Sequence, residues 1–220
     1  MRHPNLVLRD VRWEQSLPTD GREARFNITV ANTGPGSTAR VVQVQLLVDG
    51  QSAGTPIAAG LASGEQANLS ANWTALPGKH EVRAEIDPGA LIDEVDETDN
   101  YLVKELDVPF PDIVLSDLIL APSGAESGGL VKLSTIVSNS GPGNTSRSFP
   151  VTFYAGGKNI GSRTMNGLDR GQAQNISITW TAQPGTTDLA AAADELDKVN
   201  EEDELNNRVI ARLAVPFPDI

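Results

Sequence analysis

The sequence predicts an all-β chain built as two tandem seven-stranded sandwiches, and three observations carry that reading. First, the 220 residues repeat once. Pro4-Asn5-Leu6-Val7-Leu8 matches Pro111-Asp112-Ile113-Val114-Leu115, a shift of 107 residues (111 − 4). The same shift carries Asn32-Thr33-Gly34-Pro35-Gly36 onto Asn139-Ser140-Gly141-Pro142-Gly143, Trp73-Thr74 onto Trp180-Thr181 and Pro77-Gly78 onto Pro184-Gly185. A period of that length is a domain, because solenoid units repeat roughly every 20–50 residues. Second, apolar and polar residues alternate with a period of two, as in half-buried strands. Third, turn residues punctuate the runs: Gly34-Pro35-Gly36, Asp49-Gly50, Gly60, Ser63-Gly64 and Pro77-Gly78, each with a counterpart in the second copy. About seven short strands in about 100 residues is the pattern of an immunoglobulin-like sandwich.

Copy one is expected over residues 1–108 and copy two over 109–220. The chain closes on Val215-Pro216-Phe217-Pro218-Asp219-Ile220, which repeats Val108-Pro109-Phe110-Pro111-Asp112-Ile113 and reads as the start of a third copy. Strands are expected near 5–13, 23–32, 40–49, 52–59, 66–75, 79–87 and 101–108. In the first, Leu6, Leu8, Val11 and Trp13 change parity partway, which predicts a bulge or a crossing between sheets. The others carry Phe26, Ile28 and Val30; Val42, Val44, Leu46 and Val48; Leu69, Ala71 and Trp73; and Val82, Ala84 and Ile86. Copy two keeps the alternation with other residues. Phe149, Val151, Phe153 and Ala155 replace the Val42 series, and Ile176, Ile178 and Trp180 replace the Leu69 series. Residues 188–205, rich in Ala, Glu and Leu, invite a helix. Their counterpart contains Asp87-Pro88-Gly89, which a helix interior does not tolerate, so strand followed by loop is expected. The joint Val108-Pro109-Phe110-Pro111 is too short and Pro-rich to act as a flexible linker, which predicts a stiff passage between copies.

Composition excludes several functions. The net charge is −12, from 29 acidic and 17 basic side chains, and it opposes phosphate backbones and anionic lipid surfaces. No nucleic-acid partner is expected. No apolar run reaches the roughly 18 residues of a membrane helix, so no membrane insertion is expected of this segment. The chain has no cysteine, which removes disulfides, thiolate metal sites and cysteine nucleophiles. Met1-Arg2-His3-Pro4 falls where Pro109-Phe110-Pro111 sits in the next copy, and the start reads as a boundary inside a longer protein.

One segment stands out chemically, the acidic loop before the last strand. Asp93, Glu94, Asp96, Glu97 and Asp99 place five carboxylates within residues 93–99, and no Lys or Arg occurs between Arg83 and Lys104. Such crowding favours solvent or a bound cation, and Ca²⁺ takes about six to eight hard oxygens. The candidate ligands are Asp87, Asp93, Glu94, Asp96, Glu97 and Asp99 in copy one, and Asp194, Glu201, Asp203 and Glu204 in copy two. The spacing is not that of an EF-hand. Counting from Asp93, the third and fifth positions are Val95 and Glu97, and no glycine follows. The alternative is a solvated loop in which Asp99, Asn100 and Asn207 bond the local backbone while Ile92 or Val199 plugs the core. Both readings stay open. A site in copy two would be the weaker, with Asn200 and Asn206 where copy one has Asp93 and Asp99.

Trp73 and Trp180 share a register and read as core, and Trp13 is matched by Leu120. The histidines are His3 and His80, and nothing in the pattern points to a Ser-His-Asp arrangement, so no catalytic residue is assigned. Asn-X-Ser/Thr triplets start at Asn27, Asn68, Asn72, Asn144 and Asn175. Most fall on expected strands and read as composition.

The opening Pro-Asp-Ile-Val-Leu-Ser-Asp-Leu, the Asn-Ser-Gly-Pro-Gly loop, the Gly-Leu-x-x-Gly before a Trp-Thr-Ala strand, the Pro-Gly turn and the closing acidic loop together resemble the CARDB domain, the cell adhesion related domain found in bacteria. The matching residues are Asn32, Gly34, Gly60, Leu61, Gly64, Trp73, Pro77, Gly78, Asp87, Ile92, Glu94, Glu97 and Asn100, and in copy two Asn139, Gly141, Gly167, Leu168, Gly171, Trp180, Pro184, Gly185, Asp194, Val199, Glu201, Glu204, Asn206 and Asn207. The resemblance implies tandem immunoglobulin-like sandwiches in a secreted or surface protein. It implies a non-enzymatic extracellular adhesion or spacer module with no required cofactor. Its partners would be other repeats of the same array and a protein or surface glycan ligand. Two alternatives accompany it: a Ca²⁺-binding interaction module, and a self-assembling repeat pairing through edge strands, with the trailing Pro216–Ile220 segment as an orphan strand start.

Overall fold

A computed structural model describes residues 2–14 and 18–218. It is all strand and loop, with no helix among the described residues. The chain divides into two compact units, residues 1–108 and 109–220. Asp219 and Ile220, read above as part of a third copy, lie outside the described residues, as does Met1.

Unit one contains β1 (Leu6–Trp13), β2 (Glu23–Asn32), β3 (Val42–Val48), β4 (Gln51–Gly54), β5 (Ile57–Ala58), β6 (Gln66–Thr74), β7 (Gly78–Ile86) and β8 (Tyr101–Val108). They form two antiparallel sheets, β1-β2-β6 and β4-β3-β7-β8, with β5 also on β3. The alternation buries one face of each: Phe26, Ile28 and Val30 from β2 meet Val44, Leu46, Val82, Ala84 and Leu106 from the opposite sheet. Two sheets sealing one core define the sandwich. The parity change in β1 is a register shift between Leu8 and Asp10. The expected fourth strand is two short pieces, because Pro56 interrupts it. The β3–β4 hairpin turns at Asp49-Gly50, where φ values of 51° and 75° fit a two-residue turn that needs the left-handed region twice.

Unit two contains β9 (Ile113–Leu115), β10 (Ile119–Ala121), β11 (Leu130–Asn139), β12 (Phe149–Ala155), β13 (Lys158–Met165), β14 (Ala173–Thr181), β15 (Gly185–Ala193) and β16 (Arg208–Val215). Its sheets are β10-β11-β14, with β9 also on β11, and β13-β12-β15-β16. The break between β9 and β10 falls where unit one has its bulge. The helix-like stretch at 188–205 is the end of β15 and then loop. The aromatic bulk changes place between copies. Phe26 on β2 corresponds to Leu133, while Val42 and Leu46 on β3 correspond to Phe149 and Phe153 on β12. On the neighbouring strand the bulk falls at one position, since Val44 pairs with Ile86 in unit one and Val151 with Ala193 in unit two. Volume is redistributed while the pattern holds.

One buried polar side chain ties three segments of each unit together. Asn32 Oδ1 accepts from Asn5 N and Gly34 N, both at 3.1 Å, and Nδ2 donates to Gly36 O at 2.7 Å and Leu61 O at 3.0 Å. Asn139 repeats this with Asp112 N, Gly141 N, Gly143 O and Leu168 O at 3.0, 3.1, 2.8 and 3.0 Å. Both amides use two acceptor and two donor positions. The Gly-Pro-Gly loop fits because Gly36 and Gly143 lie against the incoming chain: a Cβ there would collide with the carbonyl oxygens of Arg2 and Pro109 respectively.

Candidate functional site

The acidic loops sit at the end of each unit where the chain enters it. In unit one, Leu6 N donates to Glu94 Oε2, and Val95 N donates to Pro4 O at 2.9 Å. Asp96 N donates to Asn5 Oδ1 at 2.9 Å, and Asn5 Nδ2 donates to Asp99 Oδ2 at 3.2 Å. In unit two, Ile113 N donates to Glu201 Oε2 at 2.6 Å and Glu202 N to Pro111 O at 2.9 Å. Each loop therefore grips the residues leading into the first strand, opposite the side gripped by Asn32 or Asn139.

Most of the candidate metal ligands are occupied with local donors. Asp87 Oδ2 accepts Ile92 N and Asp194 Oδ2 accepts Val199 N, each at 2.7 Å, and both aspartates have positive φ (44° and 45°). The loop folds back on itself there and drives both Ile92 and Val199 into the core. Asn100 Nδ2 bridges Glu94 Oε1 at 3.1 Å and Glu97 Oε2 at 3.2 Å, while Glu97 Oε1 accepts Glu94 N at 3.1 Å. Glu204 Oε1 likewise accepts Glu201 N at 3.0 Å. Asp96 Oδ1 accepts Thr98 N and Thr98 Oγ1, and Asp203 Oδ1 accepts Leu205 N. Asp93 is exposed. Among the described residues no group of three His, Cys, Asp or Glu side chains is placed to hold a metal ion. The carboxylates act mainly as acceptors for backbone amides that the irregular loop leaves without strand partners.

That arrangement buries acid. Desolvation raises the Glu94 carboxyl from its ordinary 4.5 to about 7, with Glu97 and Asp87 adding to it against the bonds from Leu6 N and Asn100. Desolvation likewise raises Glu201 to about 8, with the Glu204 and Asp194 charges adding to it, against the bond from Ile113 N. Asp194 is raised by burial too, against the amides of Val199 and Lys198. Several acceptors are left without a donor: Asp99 Oδ1 and Asn100 Oδ1 in unit one, and Asp194 Oδ1, Glu201 Oε1 and Asn206 Oδ1 in unit two.

The two copies exchange one pair of residues across this clasp. Unit one has the amide on the incoming chain and the carboxylate on the loop (Asn5 with Asp99). Unit two has the reverse, with Asn206 Nδ2 donating to Asp112 Oδ1 at 2.8 Å. From sequence, Asp99 opposite Asn206 looked like a difference in the loop alone. It is half of a swap whose other half lies 94 residues away. The repeat alignment carried this signal, since the two differing positions exchange the same two residue types.

The remaining sequence-singled residues are structural. Trp73 and Trp180 are half-buried and pack on their cores. His80 is buried against Trp73, its ring centroid 4.8 Å away. Its Nδ1 lies 2.6 Å from Asp49 Oδ2 and its Nε2 lies 2.8 Å from Leu76 O. Sequence reasoning passed over this pair, whose members are 31 residues apart. It pins the β3–β4 turn to the start of β7, and both ring nitrogens are spent on that role.

The comparisons with known proteins bear on the same residues. The CARDB family model matches residues 3–104 and again 110–211, nearly the whole of each unit. The chain belongs to the CARDB family. Among solved structures, a CARDB domain from Pyrococcus furiosus, described as in complex with di-metal ions, is 20% identical. The match covers 48% of this chain and 89% of that one, with a TM-score of 0.43. A domain of a putative cell surface protein from Methanosarcina acetivorans is 22% identical over 48% of this chain and 92% of that one, with a TM-score of 0.42. No curated protein matches the chain.

Two outcomes follow for these CARDB units. Asn5→Asp alone sets two carboxylates against each other at the unit-one clasp and should cost about 1–3 kcal/mol in urea unfolding. Adding Asp99→Asn recreates the unit-two polarity and should recover most of that loss; a double variant no more stable than the single one refutes the pairing. Second, Glu94 and Glu201 titrate higher folded than unfolded, so the stability tied to their neutral forms is complete below about pH 4.5. It is lost as pH rises through about 7 for Glu94 and about 8 for Glu201. Melting temperature should fall between pH 5 and pH 8.5, and Glu94→Gln with Glu201→Gln should flatten that slope.

Proposed function

We propose that this CARDB pair is a non-enzymatic, load-bearing segment of an extracellular adhesion array, holding other elements of its parent protein away from the cell surface. The observation that supports this is the clasp. In each unit the incoming chain is held from two sides, by a fully bonded buried asparagine and by the acidic loop. In a tethered array, tension enters each unit through that chain. Bonds that close the sandwich at the point of loading raise the force needed to peel the first strand. Family membership supports the surface location and the adhesive context.

Pulling the chain from its two ends should give two unfolding events, each releasing about 35 nm at roughly 3.4 Å per residue. Glu94→Ala and Glu201→Ala should each lower the peak of their own unit. Featureless extension, or peaks indifferent to both substitutions, speaks against a load-bearing role.

A second reading, a divalent cation held at the acidic loop, is favoured by the donorless buried oxygens of Asp194, Glu201 and Asn206. A cation there would displace the Glu201 proton, so its effect should grow with pH. Ca²⁺ at about 100 times its Kd would stabilise unit two by roughly 2.7 kcal/mol. Calorimetry at pH 8.5 with and without 5 mM Ca²⁺ tests this. No shift in melting temperature, or a shift that persists in Glu201→Gln, removes the reading.

A further inference from the structure

Unit one carries on its three-stranded sheet a surface that unit two lacks. The register shift between Leu8 and Asp10 leaves Arg9 without a place in the β1–β2 ladder. Such bulges re-aim side chains. Beside it lies a depression of about 600 Å³ lined by Arg9, Asp10, Arg12, Asn27, Thr29 and Asn68. Every lining side chain is polar. The amides and hydroxyl face outward from neighbouring strands in register, Thr29 opposite Asn68, with Thr29 Oγ1 donating to Asn68 Oδ1 at 2.9 Å.

The charge here opposes that of the whole chain. Asp10 is matched by two cations: Lys104 Nζ at 2.6 Å and the Arg12 guanidinium. Arg9 adds a third positive group against that single carboxylate. Glu14, whose Oε1 accepts from Asn27 Nδ2 at 3.4 Å, is faced by Arg25 at 3.6 Å. The lining itself, two arginines against one aspartate, thus carries a small positive excess on a molecule of charge −12.

The fold does not require it. At the same positions unit two has Ser116, Asp117, Ile119, Ser134, Ile136 and Asn175, and Lys104 becomes Ala211. Ile119 and Ile136 there are 58% and 41% exposed. Two sandwiches with one set of clasps have thus diverged on one outer face.

We propose that this face of unit one binds a carboxylate-bearing carbohydrate, with Arg9 taking the carboxylate and Asn27, Thr29 and Asn68 bonding the ring hydroxyls. A guanidinium forks onto a carboxylate with two parallel bonds. A side-chain amide both donates and accepts, matching hydroxyls that do the same. The lining offers no apolar pocket of the kind that anchors a protein partner. Binding a uronic-acid polymer of another surface deepens the adhesion reading above, on which it rests only for its biological setting.

The test is calorimetric titration of the full chain with galacturonate and mannuronate oligomers, beside a neutral galactose oligomer of equal length and a hexaglutamate peptide. At least one uronate oligomer should bind, and its affinity should fall with added salt. The neutral oligomer and the peptide should bind at least tenfold more weakly. Arg9→Ala should weaken uronate binding about tenfold and Asn68→Ala severalfold, with melting temperature unchanged because both side chains are exposed. Asn175→Ala, at the position equivalent to Asn68 in unit two, should change nothing. Absence of uronate binding, equal binding of the neutral oligomer or the peptide, or binding indifferent to Arg9→Ala overturns the proposal. So does a dimer in sedimentation that Arg9→Ala dissolves, which would make the face a contact between copies. A failed pulling experiment leaves this result untouched, and the converse holds too.

Discussion

The rest of each unit depends on one buried amide. A sandwich must begin somewhere, and its first strand arrives with backbone groups that no ladder has yet satisfied. Burying such groups unbonded costs about 1–3 kcal/mol each. Asn32 and Asn139 answer this by spending every bonding position on three separated segments: the incoming chain, the Gly-Pro-Gly loop and the Gly-Leu loop. A hydrophobic residue there would fill the space but strand two donors and the Gly36 or Gly143 carbonyl, while Leu61 O and Leu168 O would keep their bonds from Thr38 N and Thr145 N. The Asn-x-Gly-Pro-Gly spelling follows from that geometry, with glycine where the incoming backbone passes too close for a side chain.

The acidic loop solves the same problem from the other side, with a harsher chemistry. A carboxylate is a strong acceptor for Leu6 N or Ile113 N, but delivering it means taking charge out of water. The structure meets that cost by letting Glu94 and Glu201 hold protons more tightly than exposed glutamates do. It also interleaves Asn100 between Glu94 and Glu97, so that like charges share a donor.

How much of this was legible in the sequence varied with the range of the interaction. Alternation and turn chemistry are local, so the strands and the bulge in β1 could be read directly, and the internal repeat removed the false helix at 188–205 by supplying Asp87-Pro88-Gly89 as its counterpart. The split of the fourth strand at Pro56 was missed, although proline signals it. The acidic loop was visible as a cluster, but charge count says nothing about where each carboxylate points, and that depends on the Leu6 and Ile113 amides and the Pro4 and Pro111 carbonyls brought in by the incoming chain. The Asp49–His80 pair left no trace because neither residue recurs in the second copy, where Gly156 and Thr187 stand. The polar face around Arg9 shows only once β1, β2 and β6 are laid side by side.

The Asn5/Asp99 and Asp112/Asn206 exchange has a consequence for how neighbouring copies fold next to each other. Tandem domains of similar sequence are prone to trade strands, one copy completing the other. Here a traded first strand would meet the wrong loop in unit one, where Asp112 would face Asp99, charge against charge, whereas Asn5 facing Asn206 in unit two could still form an amide–amide bond. Unit one thus carries a lock that its neighbour's strand does not open, and the cost falls on the misassembled form alone.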